Sequence, residues 1–321
     1  MTNFITANKT YVKSTNSIKK INITYLYTLI TFTIYYFIYY LFLKDYSHII
    51  ASSKSLLVLL ITAIIFEYLS RLIDKSSSSS SSLSNTLSIS LIIFLLTNHL
   101  NILVSLISLL ISLIIKKTTK NSFLSSTLYG LLFALIYQYA TNTPSILPTL
   151  IEESSKGFLK FLLMPPISPI ISLASLFYLF HKKVLKYPLV FSYFLTYLLV
   201  ILSYNLLKGT EIFQILNILI SNNILFLSIY CLADSYKSPT IFEGELIYGI
   251  ILGLITSILS LIIPELSTII TIIIGTFIFV KPLDKLSIKL KYQENTFSKT
   301  IYVLVFLSLL TITALYFIFR L

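Results

Sequence analysis

Residues 55–72 read Ser-Leu-Leu-Val-Leu-Leu-Ile-Thr-Ala-Ile-Ile-Phe-Glu-Tyr-Leu-Ser-Arg-Leu. As an α-helix at 1.5 Å per residue this run is about 27 Å long, close to the hydrocarbon thickness of a bilayer. Its only charges are Glu67 and Arg71, one helical turn apart near one end. A soluble protein does not leave such a stretch to cover its surface, and the pattern recurs along the chain. Further apolar runs occupy 22–43, 84–97, 100–115, 123–139, 167–180, 189–207, 213–233, 246–263, 267–280 and 300–319. The expected fold is therefore all-α and polytopic, a bundle of about ten or eleven transmembrane helices with little mass outside the bilayer. The runs 84–97 and 100–115 are short. Asn98, His99 and Asn101 between them read as a tight turn, joining two short spans rather than forming a re-entrant hairpin.

Composition agrees. Of 321 residues, 56% are hydrophobic and 11% charged, whereas a soluble domain carries about 25% charge. The mean hydropathy is +0.89. The single cysteine, Cys231, excludes a disulfide framework and a cysteine-based metal or iron–sulfur centre. His48, His99 and His181 are too scattered to suggest a metal site. The first twenty residues are polar and the first apolar run is long enough to span, so no cleavable signal peptide is expected.

The net charge of +12 would point to nucleic acid in a soluble protein, but here the basic residues lie at the ends of the apolar runs. With the N-terminus in the cytoplasm, alternate connecting segments face inward. They carry Lys9, Lys13, Lys19, Lys20, Arg71, Lys75, Lys116, Lys117, Lys120, Lys182, Lys183, Lys186, Lys237, Lys281, Lys285, Lys289, Lys291 and Lys299. That is eighteen of the 24 basic residues, the bias that holds a chain N-in, and with this count of runs C-out. Ser76 to Ser82 form a serine run that reads as part of a cytoplasmic linker over 75–84. Tyr35, Tyr36, Tyr39 and Tyr40 read as anchors at the membrane interface.

Three features break the apolar rule. Glu67 reads either as the partner of Arg71 or as a group in a cation or proton pathway. Ser221, Asn222 and Asn223 interrupt the run 213–233, which marks either a broken helix at membrane depth, of the kind that builds substrate or ion sites, or a satisfied polar helix face. Gly249 and Gly253 form a GxxxG pair, expected to bring another helix close.

The most informative stretch is 224–285. It contains Leu232-Ala-Asp234-Ser-Tyr-Lys-Ser238-Pro239, Gly244-Glu-Leu-Ile-Tyr-Gly249, Pro264-Glu265 and Val280-Lys-Pro-Leu-Asp284. This order resembles the RnfD and NqrB family of membrane subunits from ion-translocating electron-transport complexes. That family places T-D-P-x-T-S-P after a broken span, then G-R-x-I-Y-G, P-E-G and V-P-L-I-D. Glu67, Asn121-Ser-Phe123 and the basic loop before Pro188 fit the family's order too. Two departures are plain: Asp-Pro has become Asp234-Ser235, and the arginine after Gly244 is Glu245.

The resemblance implies a plan of three parts. A cytoplasmic tail, 1–21, precedes a family-like transmembrane domain, 22–288, and a further helix lies in 289–321. It implies a subunit that carries electrons by flavin, coupled to Na⁺ or H⁺ transport in the cell membrane, with the other subunits of an Rnf/Nqr-type complex as partners. Family members carry FMN on a threonine of an S-x-A-T-P-L sequence outside the membrane. The external loop here, 140–166, offers Thr143 before Pro144, with Thr141 and Thr149 as rivals. Ser221, Asn222 and Asn223 match the family's S-G-A break, and with Asp234 they are candidates to line a flavin. A riboflavin is implied as well, with no residue signature. A flavin-free transporter or channel on the same frame is the alternative reading, and a structural scaffold a third.

Overall fold

The computed structural model describes residues 18–73, 81–98, 100–119, 123–141, 167–207, 224–233, 238–262 and 264–292. Among the described residues it has eleven helices and no strand. These are α1 (Ile18–Phe42), α2 (Tyr46–Ile73), α3 (Ser81–Thr97), α4 (Ile102–Thr119), α5 (Phe123–Thr141), α6 (Pro169–His181) and α7 (Tyr187–Leu207). They continue with α8 (Ile224–Leu227), whose π-helical extension covers Ser228–Leu232, and α9 (Phe242–Ile262). Then α10 (Pro264–Ile274) runs through a second π-helical turn, Gly275–Phe279, into α11 (Val280–Tyr292). Apart from 300–319, which lies outside the described residues, every expected run is helical over its described part except for a residue or two at its ends. Four helices, α1, α2, α7 and α9, are long and apolar enough to cross a membrane by length and composition.

The centre is α3. All of Ser88–Thr97 is buried, among α1, α2, α4 and α5. A helix rich in serine can sit there because each hydroxyl turns back on its own helix. Ser88 donates to the Ser84 carbonyl at 2.9 Å, Ser90 to Leu87 at 2.8 Å and Thr97 to Ile93 at 2.7 Å. The same device serves Ser108 and Ser112 of α4. Gly130 of α5 then lies directly against the Ser108 carbonyl and the Ser112 hydroxyl, so a side chain there would collide. The serine run of the linker extends into α3, which begins at Ser81.

The turn between α3 and α4 is as expected. Leu100 N–H donates to Thr97 O at 2.9 Å, and Asn101 caps α4 through its carbonyl and side chain. Asn98 in that turn meets Ser52 and Ser55 near the start of α2, while Lys116 near the end of α4 meets Glu67 near the end of α2. The hairpin thus runs alongside the stretch of α2 from Ser52 to Glu67, about 22 Å at 1.5 Å per residue. That is the geometry of two short crossing helices.

Two turns show how a chain with seven glycines ends its helices. Lys44 and Lys183 take positive φ of 58° and 54°. At the first, Lys44 N–H bonds Leu41 O and Asp45 N–H bonds Tyr40 O; at the second, Lys183 bonds Phe180 and Val184 bonds Leu179. Both are Schellman closures with lysine where glycine is usual. Asp45 at once begins α2, accepting the His48 N–H at 3.1 Å and the Ser47 hydroxyl at 2.7 Å. This cap starts α2 nine residues earlier than the apolar run at 55.

The GxxxG pair brings α9 onto α7. A Cβ on Gly249 would lie 2.6 Å from Leu189 O and on top of the Ser192 hydroxyl; one on Gly253 would lie 2.8 Å from Tyr193 O and on the Thr196 hydroxyl. Tyr193 OH and Thr256 Oγ1, 3.0 Å apart, bond across the same interface. A helix over 280–292 is the one addition that the apolar runs do not foretell. Pro282 lies in this stretch directly after the π segment and has no N–H to give to the helix ladder.

Candidate functional site

Among the described residues, three clusters of buried polar side chains stand out. The first is built on Glu67, 5% exposed on α2. Its Oε1 receives Arg71 Nε at 3.3 Å, and its Oε2 lies 3.6 Å from Lys116 Nζ of α4. The Arg71 pairing is the one expected from the four-residue spacing. Lys116 is an addition from 49 positions away in the sequence, and it gives the cluster two cations for one carboxylate.

The second lies where α7 and α9 begin. Lys186, 3% exposed, precedes α7, and Glu245, fully buried, stands in the first turns of α9. Lys186 Nζ donates to Ser238 Oγ at 2.7 Å and to Pro239 O at 2.8 Å, with Ser238 O at 3.4 Å and Glu245 Oε1 at 3.6 Å. Beside it, Thr240 N–H donates to Asp284 Oδ1 of α11 at 2.9 Å. Burying two ions is costly unless they find close partners; the non-helical segment 238–241 supplies oxygens to Lys186, and Lys186 is the cation beside Glu245. Sequence reasoning counted Lys186 only as an orienting charge and Glu245 only as a departure from the family's arginine. Read together, the two departures from apolarity at the starts of neighbouring helices were the available signal.

The third cluster joins the α1–α2 turn to the α3–α4 turn. Tyr36 OH, fully buried, lies 2.6 Å from His48 Nε2 and 2.8 Å from Ser52 Oγ, and it accepts from Asn98 Nδ2. Asn98 also donates to Ser52 Oγ at 3.1 Å, and Ser55 donates to Asn98 Oδ1 at 3.2 Å. The ring of Tyr40 lies 4.1 Å from that of His48. Tyr36 is thus an internal tie rather than an interface anchor, because burial of a phenol demands a partner and three polar side chains, His48, Ser52 and Asn98, converge on it. Asp45 in the same turn has its carboxyl held below the usual carboxylate range by the Ser47 hydroxyl and the His48 N–H.

The segments that share a cluster are those whose charges placed them on one side. Arg71 and Lys116 meet at Glu67; the loops at 186, 238–241 and 284 meet at the α7–α9 corner; residues 45–55 and 98, of the opposite assignment, meet at Tyr36. The alternation read from the basic residues is therefore also an alternation in space.

Of the residues expected to bind flavin, Thr143, Thr149, Ser221, Asn222, Asn223 and Asp234 lie outside the described residues. Thr141 is described. It ends α5, exposed, and its hydroxyl donates to the Tyr137 carbonyl at 2.8 Å. The segment that follows the polar break is buried over 224–233 apart from the half-buried Leu225. Phe226 and Tyr230 pack edge-on against Phe32 of α1 at 5.4 and 6.1 Å between ring centroids, and Tyr25 meets Tyr230 at 5.8 Å. Cys231 lies against the Thr127 hydroxyl of α5 at 3.8 Å, a packing contact. The π-helical turn at 228–232 places this irregular backbone inside protein, a setting in which it is tolerated at membrane depth.

Long apolar helices, self-satisfied hydroxyls and charges paired in the interior define a multi-pass membrane protein of irregular, partly π-helical frame. The chain belongs to the NQR2, RnfD, RnfE family, whose model matches residues 5–293, and at family level it is an Rnf/Nqr-type membrane subunit. No curated protein matches it.

Proposed function

We propose that this subunit carries electrons through flavin and couples their passage to Na⁺ or H⁺ movement across the plasma membrane, as one part of an Rnf/Nqr-type complex. The observation that carries the reading is the family match over residues 5–293. The spatial grouping of the basic segments supports the N-in orientation, which leaves the 140–166 loop outside, where a flavin transferase works. Thr143 is the proposed attachment point for FMN. Thr141 fits less well, because a phosphoester on its oxygen would remove the proton it gives to the Tyr137 carbonyl; Thr149 remains the other rival. Flavin when bound supplies the electron transfer, and the chain's part is to hold and orient it. Ser221, Asn222, Asn223 and Asp234 are the proposed lining, and riboflavin is a second candidate cofactor.

Glu67 is proposed for the ion pathway. Both its oxygens are engaged by cations, so it can accept a proton or Na⁺ only as Lys116 or Arg71 withdraws. Neither nicotinamide-binding glycines nor cysteine clusters occur in the sequence, so donor and acceptor sites are assigned to partner subunits.

Coexpression with a flavin transferase, followed by denaturing electrophoresis, tests the reading. The expected result is in-gel flavin fluorescence on the chain, lost in Thr143→Ala. Persistence in that variant and loss in Thr149→Ala would move the attachment point. A chain that stays dark beside a flavinylated control protein would favour a flavin-free transporter.

A further inference from the structure

The oxygens around Lys186 form a set that an amine does not uniquely require. Ser238 Oγ and Pro239 O stand at 2.7 and 2.8 Å from the ammonium, Ser238 O at 3.4 Å and the Glu245 carboxylate at 3.6 Å. Two backbone carbonyls, a hydroxyl and a carboxylate are the donors of a hard monovalent cation. The backbone at 238–241 is non-helical, which frees its carbonyls to turn toward the charge. The setting also needs them. Lys186 precedes α7 and the cluster abuts the first turns of α9, and a helix N-terminus is the position least favourable to a cation. Glu245 offsets that field, and the carbonyls complete the shell. With Lys186 at 3% exposure and Glu245 fully buried, water does not take their place.

We infer that this corner is a monovalent-cation site of potassium or ammonium size whose resident cation is the side chain of Lys186. The tethered ammonium does what a bound K⁺ would do: it joins the 238–241 segment to the starts of α7 and α9. The size follows from the two short contacts, which are ordinary for an ammonium and too long for Na⁺ or Li⁺ in an unrelaxed shell. The inference does not depend on flavin or on the coupling ion, and its readout is independent of both.

The test removes the tether and offers the cation free. Full-length Lys186→Ala is purified in detergent in potassium chloride, and thermal unfolding is followed in potassium, ammonium, methylammonium, lithium and choline chlorides at equal ionic strength. Wild type should melt at one temperature in all five. Lys186→Ala should melt lower in choline and lithium and recover by at least about 2–4 °C in potassium, ammonium or methylammonium. Its Tm should rise with the logarithm of cation concentration, as binding to the folded state requires. The double variant Lys186→Met, Glu245→Gln, with no charge to neutralise, should show no such dependence. Equal melting of Lys186→Ala in choline and potassium would overturn the inference, as would recovery in lithium alone. Failure of Lys186→Ala to fold in potassium or ammonium, with the double variant folded, would overturn it as well.

Discussion

The corner at Lys186 and the corner at Glu67 each bury a carboxylate against lysine, yet they sit in opposite surroundings. At the first, α7 and α9 close on each other over Gly249 and Gly253, and both ions are removed from solvent. At the second, α2 is a peripheral helix. Only 17% of its most apolar window is buried, against 44% in α9, and the Arg71 side chain is 42% exposed. Glu67 and Lys116 are themselves only 6% and 15% exposed, so the second corner opens to its surroundings through Arg71, whereas the first is closed throughout. A charge that keeps part of its hydration gains less from its partner and loses less without it.

The largest expected effect breaks the closed corner. Glu245→Leu leaves Lys186 buried without its carboxylate and should cost about 3–5 kcal/mol, read as loss of thermal stability in detergent. Next, Gly253→Val drives a branched side chain into Tyr193 O and the Thr196 hydroxyl, with an expected cost of about 1–3 kcal/mol. The comparison change on α2, Ile61→Val at a half-exposed site, should stay within about 0.5 kcal/mol. Glu67→Gln keeps an acceptor oxygen for only one of Arg71 and Lys116, but at this more open corner about 1–2 kcal/mol is expected, smaller than at Glu245. If Glu67→Gln proved as costly as Glu245→Leu, the contrast between the corners would fail.

The smallest effect concerns Asp45. Its folded pKa is depressed by the Ser47 hydroxyl first and the His48 N–H second. The stabilisation is therefore present above the unfolded carboxylate pKa of about 3.9 and is lost as pH falls through the lower folded value. Asp45→Asn should flatten this part of the acid limb of a stability–pH profile and leave the neutral region nearly unchanged.

The frame was legible because most of the apolar runs are long and the solvent is lipid, so periodicity was not needed. The Glu67–Arg71 pair was legible because it is local, one turn on one helix. Lys116 at Glu67, Glu245 at Lys186 and Asn98 at Tyr36 were not, since each joins residues far apart in sequence and a span list says nothing of which spans touch. Tyr36 shows the cost of reading composition alone: four clustered tyrosines look alike in sequence, but helical phase sends one into the interior. The early start of α2 escaped because a cap at Asp45, not hydrophobicity, decides where that helix begins. The GxxxG pair succeeded because close approach needs missing side chains, whatever the neighbour.

The π-helical turn at Gly275–Phe279 lies within one helical rod from Pro264 to Tyr292. An extra residue in one turn rotates everything downstream by about 100° about the axis. Asp284 reaches the Thr240 N–H with that rotation in place. Excising one residue from 275–279 would straighten the winding and swing the carboxylate a quarter-turn away, unhitching the 238–241 segment with no change to a single side chain that it touches.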